Sequence, residues 1–271
     1  MFKKLSAAAT AALMMVGGAQ ANLVSVIDLF NTPQARLTDS TANGFVVSSQ
    51  TPAPGFPDAS ILGGYRELII DLKDQNGDPG AEAKLGVSGG RLTFSTDASA
   101  SATGIVRWDG VGQSTPGNDT TSAQAIITNG LMGLNIGNVF TDSFEIQTIQ
   151  SDAGFRFTIE AYNSTTQWSK VELTSNAHAL NVANPFKSYI PLIAFLDCGF
   201  SGGGIVVNCG TGGPVDFSNL GALQVVIDPD GVFTSLDLSL NQVTVVPEPN
   251  AIALVGLALL GAGVASRRRK V

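Results

Sequence analysis

The sequence predicts an all-β fold, a single antiparallel β-sandwich, on three observations. From Asn22 to Val246 helical periodicity is almost absent. Short β-branched and aromatic runs alternate there with clusters of Gly, Asn, Asp, Ser and Pro, the pattern of a sandwich or barrel. One hairpin, in addition, declares its own register through the chemistry of its side chains. Candidate strands cover 23–29, 44–47, 65–72, 83–87, 91–95, 103–108, 123–128, 131–135, 143–150, 155–162, 168–174, 189–195, 222–228 and 235–245. No internal repeat is evident, and the Ser/Ala/Thr-rich stretch 95–103 is too short for a linker, so residues 22–245 read as one domain.

The hairpin follows from a five-residue loop at 163–167, which pairs Tyr162 with Trp168. Glu160 then faces Lys170 and Thr158 faces Glu172 on one side, while Ile159 meets Val171 and Phe157 meets Leu173 on the other. Opposite charges pair outside and apolar residues pair inside, as cross-strand energetics require. A slip of one residue would turn every side chain to the wrong face. Tyr162 and Trp168 are left side by side on the polar face, where flat apolar rings with polar rims can stack on sugars. The plainer reading is an aromatic pair that stabilises the hairpin or lies under a second layer. Trp108 shares a face with Val106 and reads as core.

Both ends carry topogenic patterns. Lys3 and Lys4 form a positive n-region, residues 5–18 an apolar h-region, and Ala19-Gln20-Ala21 a small-x-small cleavage site. Residues 1–21 are therefore read as a signal peptide, with the mature chain starting at Asn22. At the other end, residues 246–271 begin with Val246-Pro247-Glu248-Pro249, whose prolines remove donors and fix φ, so that this stretch is expected neither to pair as a strand nor to continue as a helix. The apolar run 251–266 follows, about 24 Å long as a helix. That is short of the ~30 Å hydrocarbon core, a gap met by local thinning and by snorkelling of the arginines beyond it. Arg267, Arg268, Arg269 and Lys270 hold that end in the cytoplasm. The expected topology is a body outside the cytoplasm on a C-terminal transmembrane helix.

This three-part tail resembles the PEP-CTERM sorting signal of Gram-negative bacteria. The resemblance implies an exosortase, a membrane-embedded cysteine protease, as the partner that recognises and cleaves it. It also implies a setting of extracellular polysaccharide and passage from the inner membrane to the cell surface or medium. The plainer alternative is an ordinary anchor with a proline-containing turn.

Composition bounds the body. Of 15 lysines and arginines, two precede the cleavage site and four lie in the tail, so nine remain against nearly all of the 22 acids. Such a surface repels phosphate backbones and argues against nucleic acid as a partner. Cys198 and Cys209, the two cysteines, flank a glycine-rich stretch and read as a disulfide in an oxidising compartment, worth ~3 kcal/mol in the chain-entropy model. Their spacing is not that of a redox pair, and no histidine is close enough to suggest zinc.

Three segments of the body are also familiar. Ile61-Leu62-Gly63-Gly64-Tyr65-Arg66, the run to Trp108-Asp109-Gly110, and Asp216-Phe217-Ser218-Asn219-Leu220-Gly221-Ala222-Leu223 resemble many PEP-CTERM ectodomains. The late order, ending in Leu236-Asp237-Leu238-Ser239-Leu240, is similar to jelly-roll domains of the galactose-binding type, in which a closing strand returns along the sheet edge. The resemblance implies a jelly-roll-like sandwich and leaves its activity open.

Residues with chemistry are few. Gly199-Phe200-Ser201-Gly202-Gly203 and Gly86-Val87-Ser88-Gly89-Gly90 both match G-x-S-x-G, but the sole histidine, His178, precedes Ser201, against the triad order of that fold. Glu160 and Glu172 share a face, yet Lys170 and Arg156 beside them favour salt bridges over a glycosidase pair. Asp74, Asn76, Asp78 and Glu82 have the 1-3-5-9 spacing of a calcium loop, but Pro79 stands where an EF-hand needs Gly and Leu85 where it needs Glu. An Asn-Gly hairpin turn explains the same letters without an ion. The reading is a non-enzymatic exported protein without a cofactor, calcium being the one candidate. A carbohydrate-binding module using Tyr162 and Trp168 is the alternative, and a secreted hydrolase using Ser201 or Glu160 the third class.

Overall fold

A computed structural model describes residues 25–42, 44–48, 50–53, 55–110, 126–248 and the backbone of 117–119. The expected signal peptide with Ala19 and Ala21, the apolar run, Pro249 and Arg267–Arg269 of the tail lie outside these residues, as does 123–125 of one candidate strand. In chain order the strands are β1 (Ser25–Asp28), β2 (Gln34–Asp39), β3 (Phe45–Val47), β4 (Glu67–Asp74), β5 (Ala83–Ser88), β6 (Arg91–Thr96), β7 (Ser101–Trp108) and β8 (Gly117–Asp119). There follow β9 (Asp142–Ser151), β10 (Phe155–Tyr162), β11 (Trp168–Ser175), β12 (Phe186–Pro191), β13 (Ser201–Gly202), β14 (Ile205–Cys209), β15 (Ala222–Ile227) and β16 (Asp237–Pro247).

These strands form two antiparallel sheets. One has seven strands in the order β12-β9-β16-β6-β5-β2, with β1 also paired to β16; the other has nine, β13-β14-β11-β10-β15-β7-β4-β3-β8. Their inner faces meet in one apolar core, in which Leu85, Phe94, Phe144 and Val243 of the first sheet share a cluster with Leu68, Val106, Ile159 and Leu223 of the second. The period-2 alternation of each strand delivers these residues to one side. In β16 the alternation changes phase: Leu238 and Leu240 are buried, then Val243 and Val245. The pairing with β9 shifts register between Leu240 and Gln242, and that bulge takes up the extra residue. The closing strand does not run along an edge, as expected for it; β9 flanks it on one side, and β6 and β1 on the other.

The hairpin forms in the expected register, residue for residue from Phe155↔Ser175 to Tyr162↔Trp168. Other expectations need correction. Residues 131–135 are an irregular loop with an isolated bridge from Leu134 to Leu220, because Met132 and Gly133 both take positive φ. The candidate strand 189–195 ends at Pro191 and gives way to a 3₁₀ turn, Leu192–Leu196. Leu192 and Phe195 are the buried pair, and three-residue spacing puts them on one face of such a turn. β2, β13 and β14 escaped the pattern because the first is a polar edge strand paired with β5 alone and the others lie in the glycine-rich cysteine loop. The Asp74–Glu82 stretch is not a hairpin: β4 and β5 belong to different sheets, so the loop crosses the sandwich.

A buried ionic knot joins the sheets. Arg66, next to β4, donates from Nη1 to both carboxylate oxygens of Asp28 at 2.9 and 2.8 Å. Its Nε reaches Gln34 and its Nη2 the Thr32 carbonyl. Asp28 also accepts from Trp108 Nε1 at 2.9 Å and from the Phe30 amide at 2.8 Å. Both charged side chains have zero exposure. A charge pair can persist at that depth when hydrogen bonds satisfy both partners. Trp108 is core, as its face predicted. The knot gives a physical role to two segments singled out by resemblance alone, since Arg66 and Trp108 meet on Asp28.

Candidate functional site

The last strand carries the sorting motif into the fold. Val246 pairs with Ser143 and Pro247 with Asp142, and the Glu248 amide donates to the Thr141 carbonyl at 2.7 Å. The expectation that Val246 and Pro247 stay out of the sheet is therefore corrected. Proline removes only one donor, its φ suits extended backbone, and the end of a strand tolerates it. The ladder resumes one residue later through Glu248. Asp142 secures the opposing turn, its carboxylate accepting from the Asn138 amide at 2.7 Å and from Thr141 Oγ1 at 3.0 Å.

Ser25, the first residue of β1, pairs with Val245. β1 therefore starts where β16 ends. This shared exit rim holds a cleft of about 590 Å³, lined among others by Asn135, Asn138, Phe140, Asp142, Asp216 and Ser218. Beneath it Phe144, Phe195 and Phe217 pack edge to face, with centroids 5.2–5.9 Å apart. Such pairs contribute about 0.5–1.5 kcal/mol each beyond the area they bury.

The hairpin's polar side is one part of a ladder on the outer face of the nine-stranded sheet. Glu67, Arg107, Gln224, Glu160, Lys170 and Asn208 lie opposite one another on six successive strands. Arg107 bridges Glu67 at 3.3 Å and Gln224 at 3.2 Å. Gln224 Nε2 and Tyr162 Oη each donate to Glu160 Oε2 at 2.6 Å, and Lys170 approaches its other oxygen at 3.5 Å. Burial, then the Glu160 charge, push the Tyr162 phenol well above its usual range. Glu172 pairs with Arg156 at 3.0 Å, so each glutamate of the hairpin has a cation.

Tyr162 and Trp168 are neighbours, as the register requires, with centroids 6.3 Å apart and rings inclined at 40°. Both are half-buried, so the polar side is more covered than an open platform. A Cβ at Gly210 would run into the Trp168 indole, which shows how tightly that loop seats the ring.

The remaining sequence candidates are placed as follows. Cys198 and Cys209 form a disulfide. Asp74 accepts from the Asn76 amide at 2.9 Å and Asp78 from the Gly80 amide at 3.0 Å, while Glu82 pairs with Lys84 at 3.0 Å. Among the described residues no three His, Cys, Asp or Glu side chains come together as a metal-holding group. His178 stacks on Phe186 at 3.8 Å and its Nε2 lies 3.3 Å from Ser175 Oγ. Ser201 lies on β13 and Ser88 at the end of β5, in different sheets.

Sequence reasoning missed Arg107, Gln224 and Glu67 as members of the ladder, because their phase in β4, β7 and β15 also carries Ile69, Ile105 and Val226 and shows no clean alternation. No curated protein matches the chain. Among the described residues no helix is long and apolar enough to cross a membrane. Residues 245–270 match the PEP-CTERM protein-sorting motif, and the chain thus carries the signal for export and exosortase sorting, whose first residues end β16.

Proposed function

We propose that this is a non-enzymatic, jelly-roll-like surface or matrix protein that starts from a signal peptide over residues 1–21. It is held by a transmembrane tail, then freed by exosortase to the cell surface or medium, where it associates with exopolysaccharide. The observation that carries the reading is the matched motif running directly out of β16. Cleavage beyond Glu248 would leave all of β16 in the body, so processing need not unfold it. The experiment maps the C-terminus of the native protein by mass spectrometry, in parental cells and in a strain lacking its exosortase. Loss of the apolar tail in the parent alone is expected. A chain ending at Val271 in both strains would reduce the protein to a plain anchored ectodomain.

A second reading, a dedicated carbohydrate-binding module, draws support from the Tyr162–Trp168 pair beside the hydrogen-bonding ladder. Polar groups at the edge of aromatic rings suit sugar hydroxyls and apolar sugar faces. It predicts that Tyr162→Ala or Trp168→Ala lowers retention on the producer's exopolysaccharide while a surface change such as Lys84→Ala does not.

A further inference from the structure

The exit rim holds three large apolar side chains in water. Met132 is 92% exposed, Phe140 70% and Leu134 39%. Phe140 precedes Thr141, the residue whose carbonyl receives the Glu248 amide, so it stands beside the point where the chain leaves the fold. Met132 has φ of 53°, a left-handed conformation uncommon outside glycine. Its loop is tied to the rim by the Leu134–Leu220 bridge and by the Ile136 amide on the Phe217 carbonyl. Met132 thus holds an apolar side chain outward on a left-handed residue, and such outliers cluster at functional sites.

The length of the connection says what meets them. Only Pro249 and Asn250 separate Glu248 from the apolar run that begins at Ala251. Three steps of 3.8 Å between Cα atoms span at most about 11 Å. The polar layer on each side of a bilayer is about 5–8 Å deep. With the run in hydrocarbon, Glu248 is held at headgroup level or just above it, and the rim cannot leave the membrane surface. Ser25 opens β1 on the same rim.

We propose that the exit rim docks on the phospholipid surface while the tail is inserted, with Phe140 and Met132 entering the interface and Leu134 at its margin. Phe and Leu are among the side chains that interfacial segments bury at the headgroup boundary, and shallow burial of such exposed apolar groups adds to the tether. The acids of the rim favour a zwitterionic surface over an anionic one: Asp142 and Asp216 spend carboxylate oxygens on local amides and hydroxyls, and Glu248 carries a further charge. Docking holds Val246–Glu248 at the depth where a membrane-embedded protease works.

The proposal rests on the reading of the tail as an anchor, and the test separates the two. The full chain is reconstituted in phosphatidylcholine vesicles as variants with one added cysteine, Phe140→Cys, Met132→Cys or Val232→Cys, each carrying a thiol-reactive fluorophore. The native cysteines are joined and do not compete for label. Val232 is exposed beyond the far end of β15 and serves as the reference. A headgroup-bound quencher is expected to quench positions 140 and 132 several-fold more than 232. Equal quenching at all three, in a chain that floats with the vesicles, would overturn docking and leave anchoring intact. A chain that does not float would overturn both.

Discussion

The Arg66 knot, which spans the two sheets, and the outer ladder, which runs across one of them, are both built around charged side chains, yet they are finished by different partners. In the knot every polar atom of Arg66 and Asp28 has a partner within the chain, and neither side chain touches water. In the ladder, burial falls from Arg107, 4% exposed, through Glu160 at 12% to Lys170 at 31%. The first network clamps one sheet to the other. The second is buried at its centre and more exposed toward Lys170. Charge alone therefore says little about role; depth and completeness of bonding separate a structural clamp from a surface that can receive something.

Substitutions can break or sharpen that contrast. Arg66→Ala strands the Asp28 carboxylate in the core and should cost about 3–5 kcal/mol, read by urea denaturation. A loss below about 1 kcal/mol, the size expected of a surface pair, would show that the knot clamps nothing. Glu160→Gln sits at the middle of the ladder and should cost about 1–3 kcal/mol, since Tyr162 and Gln224 both donate to it. Lys170→Ala at the open end should cost about 0.2–1 kcal/mol, and the difference should shrink in high salt because screening reaches exposed pairs first. If Lys170→Ala proved as costly as Glu160→Gln, the ladder would not be graded.

His178 lies outside both networks and isolates what burial does without a charged partner. Burial lowers its imidazole below the ordinary 6.5. A histidine depressed in this way contributes stability that is present above the unfolded value and lost as pH falls through the folded one. The chain has one histidine, so a single proton resonance followed by NMR gives its titration. A midpoint at or above 6.5 would contradict the assignment.

How much was legible can be judged from particular residues. The β10–β11 register was readable because Glu160, Lys170, Phe157 and Leu173 leave only one pairing that satisfies both faces. The bulge in β16 was present in the sequence as the change of phase from Leu238 and Leu240 to Val243 and Val245. The turn at Leu192–Leu196 was misread because an apolar run has no period of its own until Pro191 stops the strand. Pro247 was misread because its missing donor was weighed as if the strand had to continue beyond it.

By itself the sequence determined the all-β class, the disulfide, the hairpin and the sorting motif, all of which rest on local period or short spacing. Tertiary structure alone decided that Asp28, Arg66 and Trp108 meet, that six strands align one polar row, and that Ser25 and Phe140 line one cleft where β16 ends. These are contacts between segments distant along the chain, and no local pattern encodes them, because any polar residue on the right phase of a strand could have stood opposite any other until the sheet order was set.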